Sequence, residues 1–243
     1  MKNPSLLLAL ATVRIAVCFL TLSLSEAVHA VDNLVEIIPG KSDSSVSISP
    51  TGAATTTIPL TLPVGTNAVT PTLSLVYRSD QSDGILGRGW SISGLGSISR
   101  CSSNLAIDGI SKGVSYGAGD KFCLNGQRLI LESGQYGNEG SEYRLEINTN
   151  QRVVASGFQY GAPESFKVYS PDGRIFEYGG SADSRVEIQN QDKVNLWALN
   201  RITDLAGNYI RFDYHEDNES GEFYPLAVAY TGNDQQQLEP YNH

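Results

Sequence analysis

The sequence predicts an all-β fold of mostly antiparallel strands and hairpins, sandwich-like in its layering. Three observations predict it. Short runs with period-two apolar alternation recur along the chain, and Gly and Pro turn signals separate them. No segment after residue 30 keeps the i, i+3, i+4, i+7 apolar spacing for three helical turns. Successive side chains on a strand point to opposite faces, so each alternating run carries one apolar and one wet face.

The first 30 of the 243 residues read as a secretory signal. Lys2 and Arg14 supply positive charge, Ile15 to Leu24 forms a ten-residue apolar run, and Val28-His29-Ala30 places small residues at the −3 and −1 positions of a cleavage site. Cleavage between Ala30 and Val31 is therefore expected. The apolar run is shorter than the roughly 20 residues that span a bilayer, which argues against stable membrane insertion. Cys18 lacks the small preceding residue that a lipidated cysteine wants.

Residues 31–46 form a polar lead-in with a short apolar patch, Val35 to Ile38, ended by Pro39-Gly40. The all-β domain is expected over 47–233 and a polar tail over 234–243. Within the domain Ile58, Leu60 and Leu62 share one face, and Leu73, Leu75 and Tyr77 another. Tyr143, Leu145 and Ile147 alternate with Glu142, Arg144 and Glu146; Val186 and Ile188 alternate with Arg185 and Glu187. Ile210, Phe212 and Tyr214 alternate with Arg211 and Asp213. Turns are expected at Ser82-Asp83-Gly84, Asn125-Gly126, Glu139-Gly140, Pro171-Asp172-Gly173 and Ala206-Gly207-Asn208, because Asn-Gly and Asp-Gly supply the positive φ of tight hairpins. Pro59 lacks a ladder donor, which predicts an edge or bulged strand there. Two Gly-to-aromatic runs, Gly173 to Tyr178 and Gly207 to Tyr214, form a faint internal repeat.

Lys2, Arg14 and Glu26 fall in the leader, so the remaining 213 residues carry 15 basic against 25 acidic side chains, a formal charge of −10. That balance argues against nucleic-acid binding, which needs a basic face, and against adhesion to anionic membranes. Two cysteines remain, Cys101 and Cys123. An even pair in an exported chain suggests a disulfide; the alternative is two separately buried thiols.

Nothing in the sequence carries catalysis. Only His215 and His243 follow the leader, and Gly89-Trp90-Ser91-Ile92-Ser93 fails as a nucleophile elbow at its last position. Asp213, Glu216, Asp217, Glu219 and Glu222 form an acidic cluster whose spacing does not fit an EF-hand loop. Gly84 to Gly89 is not followed by the helix that a phosphate cradle opens. Trp90 reads as a packing anchor more readily than as a sugar platform. No cofactor and no metal are expected.

The stretch Ser47 to Cys101 resembles the opening of the SpvB-type N-terminal domain of toxin-complex B and RHS (YD-repeat) proteins. The resemblance lies in Ser49-Pro50-Thr51-Gly52-Ala53-Ala54, Ile58-Pro59, Pro63-Val64-Gly65-Thr66, Pro71 with Leu73-Ser74-Leu75, Gly89-Trp90-Ser91 and Arg100-Cys101. It continues through Asp120 to Leu129, Ser165 to Tyr178, Trp197 to Tyr214 and Ala229 to Asn233, and covers roughly residues 40–233. It implies the first turns of an RHS/toxin-complex β-shell: a non-catalytic, secreted virulence module that helps enclose a C-terminal toxin absent from this sequence. The implied partners are the remaining shell, the toxin cargo and a toxin-complex A-type translocation subunit. The strands around Ile210–Tyr214 and Ala227–Tyr230 would then lack the continuation that family members supply. The alternative reading is a secreted carbohydrate- or protein-binding adhesin module, and a secreted hydrolase ranks third.

Overall fold

The structure, a computed structural model, describes residues 45–243. The expected leader, its cleavage between Ala30 and Val31, and the lead-in up to residue 44 lie outside the described residues.

The chain opens with β1 (Ser45–Ile48), β2 (Ala54–Pro59), a 3-10 turn at Thr66–Ala68 and β3 (Ser74–Arg78). A small hairpin of β4 (Asp83–Gly84) and β5 (Gly87–Arg88) leads into β6 (Trp90–Ser93). Four of these strands form an antiparallel sheet in the order β1-β2-β3-β6. Here the structure corrects the expectation for Pro59. Its strand is internal, flanked by β1 and β3. Pro59 is tolerated because it is the last residue of β2, beyond Thr57, where pairing with β1 stops. Among the described residues no neighbour on that side asks for the missing N–H.

The second part starts with β7 (Ser97–Cys101), a four-residue helix α1 (Leu105–Asp108), β8 (Lys121–Leu124) and β9 (Gln127–Ser133). It continues with β10 (Glu142–Leu145), β11 (Arg152–Ser156), β12 (Ser165–Tyr169) and β13 (Ile175–Tyr178). After a 3-10 turn at Ala182–Ser184 come β14 (Arg185–Glu187), β15 (Val194–Thr203), β16 (Asn208–Asp217) and β17 (Glu222–Asn233). From β7 to β13 each strand pairs antiparallel with the next. The ring then closes through the ten-residue β15. Leu199 to Thr203 pair with β13, and Leu196 to Ala198 pair with β7 on the opposite edge. The result is an eight-stranded antiparallel barrel. β14 extends the β13 edge of β15, while β16 and β17 form a long hairpin leaving the other edge. Bulges at Glu142/Tyr143 and Glu177/Tyr178 supply the local bending that closure needs.

Local chemistry explains the hairpins. Asn125 (φ 48°) and Gly126 (φ 82°) both sit left-handed in the two-residue turn between β8 and β9, as the tightest hairpins require. Eight strands leave an interior just wide enough for side chains to fill, and here aromatic rings fill it. Trp197 is fully buried, its Nε1 donates to Pro163 O at 3.1 Å, and its indole meets Phe122 and Phe166 edge-on at 5.4 and 5.2 Å between centroids. Gly179 (φ 72°) makes room for it, since a Cβ there would run into the indole ring.

The alternation expected around Tyr143 holds for Tyr143 and Leu145, both buried. Ile147 departs from it: it lies past the end of β10 and is 68% exposed. Residues 234–243 return to the hairpin, with isolated bridges Asn233↔Leu238 and Tyr230↔Asn242. The segment Ile210–Tyr214 is paired along its length with β17 and, from Ile210 to Arg211, with β15 as well.

Candidate functional site

Two features stand out once the barrel is in place: a clamped excursion at one end, and an apolar groove between the N-terminal sheet and the β16–β17 hairpin.

The excursion is residues 102–120, between β7 and β8. In register, Cys101 faces Lys121 and Ser99 faces Cys123, so the two cysteines are diagonal neighbours on one face of the barrel wall. A disulfide joins them in the structure, with Cα atoms 5.9 Å apart. The neighbouring residues point the other way, into the barrel. Arg100 is fully buried there; its Nε donates to Val194 O at 2.7 Å, and its Nη1 to Gly117 O and Asp120 Oδ2, each at 3.2 Å. Its guanidinium also lies 5.9 Å from the ring centroids of Phe122 and Trp197. Burial pulls the Arg100 pKa down, opposed by the charge of Asp120. On the outer face Arg128 donates to Asp108 at 2.5 Å and to Ser102 O at 3.2 Å. The excursion is thus held from both sides of the wall, by Asp120 inside and Asp108 outside.

Both carboxylates titrate low. Burial acts to raise Asp120, but the amide and hydroxyl of Ser115 and the charge of Arg100 outweigh it. Burial likewise acts on Asp108 and is outweighed by the Asn104 amide and by Arg128. A depressed folded-state pKa contributes stability that is complete above the unfolded value, about 3.9 for aspartate, and is lost as pH falls through the folded value. The expected result is a urea midpoint that drops on acidification below about pH 4. Asp120→Asn should be less stable at neutral pH but flatter over that range; an equal acid slope in the variant would sink this account.

The groove is lined by Ile85 and Leu86 from the β4–β5 turn, Trp90 and Ile92 of β6, and Phe223 and Pro225 of β17. It comprises an inner cavity of about 240 Å³ reaching Leu196 and Tyr214 and an outer one of about 560 Å³. Trp90 is half-buried and tilted 51° against Tyr77 at 5.4 Å, so it packs as a wall of the groove and does not lie open as a flat platform.

The other sequence candidates are scattered. His215 stacks on Tyr224 at 4.7 Å, with Nε2 3.8 Å from Glu222, on the surface of the β16–β17 hairpin. Asp213 pairs with Arg211, and Asp217 accepts from Ser220 Oγ and from the Glu219 amide. Among the described residues no three His, Cys, Asp or Glu side chains converge as metal ligands. Gly84 to Gly89 forms the β4–β5 hairpin and opens no helix. No described helix is long and apolar enough to cross a membrane.

Sequence reasoning missed the two arginine clamps. A signal was present: Arg100 is in phase with Ile98 on an alternating strand, which puts a charge on the apolar face and demands a buried partner. Nothing local said that Asp120 would be that partner.

The family model described as "Salmonella virulence plasmid 65kDa B protein", SpvB, matches residues 48–239. No curated protein matches the chain. Among solved structures, the TcdB2-TccC3 crystal structure superposes with a TM-score of 0.63 at 20% identity, covering 77% of this chain and 10% of that one. The Tc holotoxin pore of Photorhabdus luminescens gives 0.62 at 19% identity, over 78% and 10%. The N-terminal domain of effector protein SpvB from Salmonella typhimurium strain LT2 gives 0.56 at 20% identity, over 71% and 63%. This chain therefore spans about a tenth of the toxin-complex chains and less than two thirds of the SpvB domain structure, and identities this low show a shared fold. With the family matched from residue 48 to residue 239, over most of its length, the chain belongs to the SpvB family.

Proposed function

We propose that the chain is a non-catalytic structural module of a secreted toxin-complex B or RHS-like virulence protein, the N-terminal part of a shell around a C-terminal toxin. The observation that carries the reading is the closed barrel with an aromatic-filled interior, in a fold shared with TcdB2-TccC3. A packed barrel whose buried charges are spent on clamping one excursion is built for rigidity. Its partners would be the rest of the shell, the toxin cargo and an A-type translocation subunit. The expected test is protease protection. A cargo segment expressed with this module and the shell region that follows it should survive digestion, and the same cargo expressed without the module should be cut. Equal digestion in both would overturn the reading.

Export belongs to the same proposal, with residues 1–30 removed and Cys101 and Cys123 oxidised in the mature chain. N-terminal sequencing of secreted protein should read Val-Asp-Asn-Leu-Val. Non-reducing peptide mapping should recover one cross-linked peptide pair carrying Cys101 and Cys123. Alkylation of both thiols without prior reduction would refute the second expectation. The groove walled by Trp90 and Phe223 favours a second reading, a secreted carbohydrate- or protein-binding module; saturable binding on a glycan array, lost in Trp90→Ala, would move the assignment there.

A further inference from the structure

The connection between β11 and β12 holds a turn whose sequence does not suit its backbone. Gln159 and Ala162 form a bridge with reciprocal backbone hydrogen bonds of 2.8 and 3.0 Å, so Tyr160 and Gly161 are the two central residues of a tight hairpin. Both are left-handed, with φ 49° and 82°. Such turns favour Asn-Gly or Asp-Gly, and a bulky side chain at positive φ is a genuine outlier. Burial does not offset the strain, because Tyr160 is 55% exposed.

The tyrosine walls a cavity of about 180 Å³. Its floor is Pro163, fully buried, and Val194. Both floor carbonyls are tied to the core: Pro163 O accepts from Trp197 Nε1 at 3.1 Å, and Val194 O from Arg100 Nε at 2.7 Å. Three acids stand around this floor, Glu164, Glu187 and Asp192, against one cation, Arg185, for a net charge of −2. Among the described residues none of the four forms an ion pair. Arg185 is spent elsewhere, donating from Nη1 to Gly179 O at 3.1 Å. Glu187 lies opposite Val194 in register and its Oε2 accepts from Asn218 Nδ2 at 2.8 Å, which fixes that side chain. The cavity thus joins a rigid floor, an aromatic wall and carboxylates that no neighbouring cation neutralises.

We infer that this cavity binds a primary ammonium group carried on a slender aliphatic stem, with Tyr160 as its aromatic wall and Glu164, Glu187 and Asp192 as its counter-charges. An ammonium brings three donors, and the negative face of an aromatic ring attracts the same cation that the carboxylates do. The stem packs on the Tyr160 ring and Pro163. The volume is below the about 300–1,000 Å³ of sites for drug-sized ligands, which suits the end of a chain. Two sources share this chemistry: a free aliphatic diamine and the lysine side chain of another protein. The site is separate from the groove walled by Trp90 and Phe223, and it does not depend on the shell reading. Tyr160 then occupies a turn position that Asn would fill with less strain because the ring serves the ligand.

The test titrates the full chain at low salt with cadaverine and with acetyl-lysine methylamide, and with pentanediol as the uncharged control, by calorimetry and amide NMR shifts. Saturable binding of an amine should move the amides of residues 157–164 and 185–194. It should weaken severalfold at physiological ionic strength, where the Debye length is about 8 Å, and the diol should not bind. Tighter binding of cadaverine assigns the site to a free diamine, and tighter binding of the lysine derivative assigns it to a protein side chain. Tyr160→Asn should weaken the amine about fivefold while keeping or raising the melting temperature, since Asn tolerates positive φ. A tyrosine with a purely structural role would not part the two readouts in this way. Glu187→Gln should also weaken binding. No saturable binding of either amine, equal binding of the diol, shifts spread over the acidic surface at large, or unchanged affinity in either variant overturns the inference.

Discussion

Replacing Arg100 with alanine is expected to lower the free energy of unfolding by about 3–5 kcal/mol, because it leaves a buried charge without its partner. Asp120 would remain inside the barrel end with 2% of its side chain exposed, and the carbonyls of Val194 and Gly117 would lose their donor. The excursion 102–120 would then be held on the inside only by Ser115 and its neighbours, so cleavage there by a protease at low dose should rise before global unfolding. The paired variant Arg100→Met with Asp120→Leu separates charge from packing. Replacing a buried ion pair by apolar side chains of similar volume is often neutral or stabilising by about 1–4 kcal/mol, so most of the loss should return. Urea unfolding followed by tryptophan fluorescence measures both. A loss of less than about 1 kcal/mol in Arg100→Ala would place the pair among weak exposed bridges and refute the clamp.

Trp197→Ala is the second large effect, with an expected loss of about 3–5 kcal/mol, the usual range for a fully buried aromatic side chain cut to a methyl. Its indole is the common neighbour of Phe122 from β8 and Phe166 from β12, so the cavity would open at the centre of the barrel, where surrounding strands cannot collapse without breaking the ring. The residue sits on β15 next to Leu196 and Ala198, which pair with β7. Its loss should therefore also speed exchange of the β7–β15 amides. Trp197→Phe, which keeps a ring but loses the bond to Pro163, should cost clearly less. Near-wild-type stability in Trp197→Ala would mean that the barrel is closed by backbone pairing alone.

Much of the strand inventory was legible in the sequence. Tyr143 and Leu145, and Ile210, Phe212 and Tyr214, alternate in the sequence and are buried in the structure. Asn125-Gly126 marked its hairpin because only residues that tolerate positive φ fit a two-residue turn. The antiparallel order from β8 to β13 follows from short connections between consecutive strands. Pro59 shows the limit of local rules. A missing N–H excludes a pairing position, and only the tertiary register among the described residues put Pro59 beyond the pairs with β1.

The sequence by itself determined the all-β class and four of the five expected turns, because those depend on side-chain period and φ preference within a few residues; the turn expected at Ser82-Asp83-Gly84 falls instead at Ile85-Leu86, with Asp83–Gly84 forming β4. Only the tertiary structure decided that the sheet closes into a barrel, that Arg100 reaches Val194, 94 residues away, and that β17 walls an apolar groove together with β6 and the Ile85–Leu86 turn. The physical reason is separation along the chain. Period-two alternation says which face of a strand is apolar, but it does not say which distant strand covers it. β15 is read from its own residues as one more strand. It closes the ring because its ten residues are long enough to hold β7 on one edge and β13 on the other.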